Sequence, residues 1–268
     1  MDIATIGGIV LALASLIMGF TFDGGSLVAL LNPAAAILVF GGTLGATLTS
    51  VSLKHFTGMV KYARISLFSK SPEMLDTVEE LVALAVVARR EGLLALEERL
   101  ESMSDPFMKN GLQLVVDGVD PELVREYLDT ELTSVEERHK RAAKVFELAG
   151  GYAPTMGIIG TVMGLVHVLG SLQDVTKLGP QIATAFTATL YGVASANILW
   201  LPIASKLKNR SQDEILLREM LSEGILSIQA GENPNILGQK LRAFLPPSQR
   251  QRKEAESRGE AGVETARS

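Results

Sequence analysis

Seven of the polar side chains in two stretches of the chain that carry no Asp, Glu, Lys or Arg could line an ion route. They are Thr155 and Thr161 within residues 149–170, and Thr184, Thr187, Thr189, Ser195 and Asn197 within residues 182–205. Hydroxyl and carbonyl oxygens suit a hard cation or a proton on the move. An ion route through a membrane ordinarily adds a carboxylate, because ionisable groups held at that depth mark ion paths. Neither stretch has one, and His167 is the only ionisable candidate within these spans. Two readings of the hydroxyls follow. Each bonds back to a carbonyl of its own helix and does nothing more, or some of them line a pathway whose carboxylate comes from another chain. His167, near the end of its stretch, reads first as an interface or packing histidine and only second as a proton relay.

The same stretches hold small residues four apart, Gly160 with Gly164 and Ala188 with Gly192. In lipid, where no hydrophobic force draws helices together, such spacing allows close backbone approach. Pro154 and Pro202 each remove a helix hydrogen bond and can kink the helix that contains them.

The elements that must hold these residues are membrane helices. The chain has 268 residues, 47% of them hydrophobic and 21% charged, with a mean hydropathy of +0.26. Charge and apolar content are segregated: residues 3–20, 34–51, 149–170 and 182–205 contain no Asp, Glu, Lys or Arg. Each is long enough to cross a hydrocarbon layer of ~30 Å as a helix. The first lacks the basic start and the cleavage site of a signal peptide, so it is expected to be a true span. The absence of cysteine excludes disulfides, thiolate metal sites and cysteine nucleophiles, and the net charge of −5 argues against nucleic-acid binding.

Basic residues fix the expected orientation. Of 25 Lys and Arg, 24 fall in residues 52–148 or 206–268, and only Lys177 lies between the last two spans. Lys54, Lys61 and Arg64 follow span two; Arg138, Lys140, Arg141 and Lys144 precede span three; Lys206, Lys208 and Arg210 follow span four. Both termini and the middle segment are therefore expected in the cytoplasm, with short outer loops at 21–27 and about 171–181. The expected fold is an all-α polytopic membrane protein. Residues 1–52 form spans one and two, 53–148 a helical cytoplasmic domain, and 149–205 spans three and four. Residues 206–245 form cytoplasmic C-terminal helices, and 246–268 a tail expected to be disordered.

Within the cytoplasmic part, Ser71-Pro72-Glu73 and Asp120-Pro121-Glu122 are helix starts. Val78, Leu81, Val82, Ala85 and Val86 give helical periodicity over Thr77 to Arg90. The run after Pro121 has no Gly or Pro up to Leu148, so one helix is expected to continue into span three. Asp105-Pro106 and Asp117-Gly118 bound a shorter helix before it. No strand pattern occurs.

The stretch FELAGGYAPTMGIIGTVMGLVHVLGSL, followed by LGPQIATAFTATLYGVASANILWLPIASKL, closely resembles the third and fourth spans of flagellar motor proteins of the motility protein A type, in the MotA/TolQ/ExbB family. NPAAAILVFGGT, DPFMKNGL and EERHKRAAKVFE resemble the same group, over roughly residues 1–245. The resemblance implies a channel-forming stator subunit of the flagellar motor that converts proton or sodium flow into torque. It implies no enzyme activity and no cofactor. It also implies a homopentamer in the bacterial inner membrane, around a single-span motility protein B-type partner that supplies the ion-binding Asp and the peptidoglycan anchor. Thr161 and Thr189 match the family's ion path, and Pro154 and Pro202 its coupling prolines. Arg89, Arg90, Glu97 and Glu98, around Gly92, match the charges that meet the FliG-type rotor protein, although a charge run taken alone reads as a solvated face. Thr161 is common in sodium-driven members, whereas Ala188 and the VMGLVHVLGS segment are proton-like, which tips the expectation toward the proton. The alternative is a TolQ/ExbB-like channel subunit energising another envelope machine.

Overall fold

Asn32 and Pro33 show how a helix starts inside an apolar segment. Asn32 Oδ1 accepts a hydrogen bond from the Ala35 N–H at 3.1 Å, and Pro33 takes the first helical position, where its missing N–H costs nothing. The computed structural model describes residues 3–68, 74–170, 172–173 and 175–247, all helix, turn or coil, with no strand among the described residues. The helix start expected at Ser71-Pro72-Glu73 and nearly all of the expected disordered tail lie outside them.

Contacts divide the chain into two compact units. An apolar unit comprises residues 1–70 and 137–211, and a polar unit residues 71–136 and 212–268. Two long helices contribute residues to both. Pro121–Leu169 runs unbroken for 49 residues, as the absence of Gly and Pro before Leu148 led one to expect. The other runs from Val175–Ser195 through a wide π turn, Ala196–Trp200, into Leu201–Gln229.

In the apolar unit the first helix, Ile3–Phe22, leaves its greasy side chains uncovered, with Leu11 68% exposed. Water would not tolerate so large an apolar surface, but lipid would cover it. The second helix comprises Pro33–Ala36, a π turn at Ile37–Gly41 and Gly42–Ser50. Four helices in all are long and apolar enough to cross a membrane, the same four read from the sequence. The fourth starts at Val175, earlier than the uncharged run from 182, so the expected loop at 171–181 is mostly helix. Pro180 does not prevent this, because near a helix start it deletes only one hydrogen bond.

The polar unit packs around Leu81, Leu96, Leu100, Phe107, Met108, Leu112 and Leu128, together with Met220, Leu221, Ile225 and Ile228 from the long C-terminal helix. Met74–Glu91 supplies one wall and ends at Gly92, whose φ of +90° suits only glycine. Pro106–Val116 starts where Asp105 Oδ1 accepts from the Met108 N–H at 2.9 Å. Arg218 lies 5.2 Å above the Phe107 ring and pairs with Glu214 at 2.9 Å.

Candidate ion pathway and coupling elements

The third and fourth apolar helices meet backbone to backbone. A methyl group placed on Gly157 would lie 2.9 Å from the Ala188 carbonyl oxygen and 3.0 Å from Thr189 Cα. One on Gly160 would lie 2.6 Å from Ala188 Cβ, and one on Gly164 2.9 Å from Ala185 Cα. Gly192 similarly faces the Ala153 carbonyl. The small residues four apart thus form the contact itself. Attraction at this range comes from dispersion and polar bonds.

Those polar bonds separate the seven candidates. Thr155 donates to Tyr152 O at 2.8 Å, Thr187 to Ala183 O at 2.9 Å, and Ser195 to Gly192 O at 3.1 Å. Asn197 Nδ2 donates to Val193 O at 2.9 Å. All four bond back within their own helix, the bland reading. The side chain of Thr184 is exposed, and its carbonyl accepts from Asn32 Nδ2 at 3.4 Å. Thr161 and Thr189 alone among the seven reach across from one helix to the other. Thr161 Oγ1 lies 3.2 Å from Gly157 O, 3.1 Å from Ala185 O, and in close hydrogen-bond contact with Thr189 Oγ1. Thr189 Oγ1 lies 3.3 Å from Gly157 O. Four uncharged oxygens thus share two hydroxyl protons, which leaves lone pairs for a proton or a small cation.

Pro154 lies inside the third span, where its ring frees the Gly150 carbonyl. Pro202 follows two residues after the π turn Ala196–Trp200, which widens the helix where a proline removes a bond. At the basic end of these two helices Glu147 forms a close ion pair with Lys208 and lies 3.5 Å from Lys144. His167 is exposed in the last turn of the third helix.

Residues 99–220 match the MotA/TolQ/ExbB proton channel family, and residues 6–92 match the motility protein A N-terminal family. Motility protein A of Bacillus subtilis is 40% identical over 254 residues, covering 93% of each chain. The flagellar MotAB stator complex from Bacillus subtilis contains a chain that superposes with a TM-score of 0.87 at 38% identity, covering 93% of this chain and 98% of that one. The C. jejuni MotAB structure gives 0.88 at 31% identity, with 92% and 97% covered. The chain belongs to the motility protein A group of the MotA/TolQ/ExbB family. That group is a set of channel-type stator subunits, not an enzyme family, and its members are multi-pass membrane proteins.

The four charges singled out by the resemblance lie in the polar unit around one turn. Arg89 and Arg90 end the helix Met74–Glu91, and Glu97 and Glu98 open the short helix Glu97–Leu100 beyond the Leu93–Leu96 turn. All four are exposed. Basic groups at a helix end and acids at a helix start also complement the helix dipoles, so the placement has a local reason besides any partner.

Sequence reasoning missed Tyr191. Its hydroxyl donates to the Leu30 carbonyl and accepts from the Asn32 N–H at 3.1 Å, while its ring tilts against Phe40 at 6.3 Å. It clasps the fourth helix to the start of the second, two residues from Thr189. The only local signal was a tyrosine in an uncharged run. Also missed were Thr43 and Thr47 on the second helix, both fully buried.

Proposed function

We propose that this chain is the channel-forming subunit of a flagellar motor stator, in which ion flow past the Thr161–Thr189 pair turns a ring of subunits against the rotor. The observation that carries it is that pair, an oxygen cluster at helix-to-helix contact in spans without a carboxylate. A cluster of neutral oxygens can pass a cation but holds it weakly, so the charge that binds the ion belongs on a partner. A single-span motility protein B-type subunit, anchored to peptidoglycan, supplies that Asp. The MotAB complexes named for the two structural relatives support this pairing.

The remaining assignments follow from the same reading. Five copies form the ring in the bacterial inner membrane, with both termini, residues 53–148 and residues 206–268 in the cytoplasm, as the distribution of basic residues supports. Pro154 and Pro202 act as the flexible points through which ion binding bends the third and fourth spans. Arg89, Arg90, Glu97 and Glu98 meet the FliG-type rotor protein. Exposed charges suit that contact, because they steer encounter and release quickly. The transported ion is the proton. No resident cofactor is required.

The test is swimming speed in a host whose own stator genes are replaced by this chain and its neighbouring partner. Speed should be independent of sodium concentration and collapse with a protonophore. Speed that rises with sodium and survives the protonophore would reassign the ion. Absence of rotation despite membrane insertion of both chains would remove the stator role.

A further inference from the structure

The second apolar helix buries one face. Ala35, Val39, Thr43 and Thr47, each four residues after the last, are all at most 6% exposed. Along this face the chemistry changes. Ala35 and Val39 pack on Ala188 in a dry cluster. Thr43 and Thr47 follow, and Ser50 continues the line, its hydroxyl 2.8 Å from Tyr152 Oη on the third helix. Three contacts set the second and third helices side by side in opposite directions. A methyl on Gly160 would meet Leu38 Cδ2 at 3.2 Å, one on Gly42 would meet Met156 Sδ at 2.8 Å, and Ser50 meets Tyr152. The hydroxyl track therefore begins about one and a half helical turns below Thr161 and ends at the base of the span.

Thr47 bonds back in the ordinary way, donating to Thr43 O at 2.7 Å. Thr43 does not. Its Oγ1 is fully buried and has no hydrogen-bond partner. The π turn Ile37–Gly41 lies directly ahead of it and widens the helix where the hydroxyl would otherwise fold back. A buried hydroxyl without a partner is costly, and the cost is relieved by a bound water.

We propose that Thr43 holds a water and that the track Thr43–Thr47–Ser50–Tyr152 hydrates the inner half of the subunit, giving a proton that has passed Thr161 a route to the cytoplasmic side. The exit role rests on the stator reading above; the water site does not. A hydrated track also explains why this half of the interface uses hydroxyls where Ala and Gly would pack as well.

Two measurements test it. Radical footprinting of the purified chain with its partner in lipid discs should oxidise Met156, which lies against Gly42, and Thr43→Val should reduce that labelling. Met163, 58% exposed, should be unchanged. Thr43→Ser should restore Met156 labelling. In motors, speed per stator unit at low load should fall roughly threefold for Thr43→Val, the size of one lost hydrogen bond, and recover with Thr43→Ser. Counting fluorescent units at the motor separates slow flow from poor assembly. Unchanged Met156 labelling in Thr43→Val overturns the water site. Reduced labelling with unchanged speed per unit overturns the exit route. Failure of the unmodified chain to turn any motor would sink the stator reading and the exit role with it, while the footprint still decides the water.

Discussion

Gly192 and Gly224 are both buried glycines on one continuous helix, yet they face different kinds of interior. Gly192, in the apolar unit, faces the Ala153 carbonyl of the neighbouring backbone. Gly224, in the polar unit, faces the Leu81 side chain, whose Cδ1 would lie 2.6 Å from an added methyl. The first interior is built from close backbones, small residues and shared hydroxyls. The second is a packed core of leucines, isoleucines, valines and methionines around Phe107. In water, expelling apolar surface drives a core together, and large side chains serve best. In lipid that force is absent, and close approach with polar bonds replaces it. The consequence for function is direct: the contact that holds the spans together is also the place where bare oxygens gather.

Substitutions that act differently in the two interiors can break this contrast. Phe107→Ala should have the largest effect on the polar unit, destabilising it by about 3–5 kcal/mol in thermal unfolding of the detergent-solubilised protein. A loss below about 1 kcal/mol would mean the ring is not enclosed as described. Gly192→Ala should cost about 3 kcal/mol, because backbone cannot swing aside, whereas Gly224→Ala should cost about 1 kcal/mol as Leu81 changes rotamer. Equal costs would erase the distinction.

Smaller still are the polar bonds. Thr161→Val or Thr189→Val should lower stability by only about 0.6 kcal/mol, the average for membrane hydrogen bonds, while sharply reducing ion-driven rotation. Full rotation in the double variant would return both residues to simple packing. The smallest effect belongs to Lys240. Its hydrogen bond from the ammonium to Glu223, opposed by partial burial and helped by Glu232 at 3.6 Å, raises its pKa above the usual lysine value. A raised folded value contributes stability that is complete below the unfolded pKa and is lost as pH rises through the folded one. Lys240→Met should therefore flatten the alkaline limb of the stability profile, at a cost below about 1 kcal/mol at neutral pH for so exposed a pair.

How far the sequence could be read follows from how local each signal is. The four spans, the start at Asp105-Pro106 and the single helix from Pro121 into the third span were legible, because hydropathy, capping and proline act within a few residues. Asp120 Oδ1 accepting from the Glu122 N–H at 2.9 Å is such a bond. The start of the fourth helix was less legible, since the loop expected at about 171–181 is mostly helix from Val175 onward. Neither π turn has a residue signature. In the site, spacing showed that small residues would pack, but nothing in it singled out Thr161 and Thr189 from five other polar residues. Resemblance to relatives did that, and the cross-helix bonds set the same two apart. Tyr191 stayed hidden because its partner Leu30 lies 161 residues away, and Thr43 because its burial without a partner is set by tertiary packing.

Ion flux through proteoliposomes tests the central claim most directly. Vesicles containing this chain alone should hold an imposed proton gradient, and adding the single-span partner with its membrane Asp should release it. A robust proton current from this chain without any partner would contradict the account.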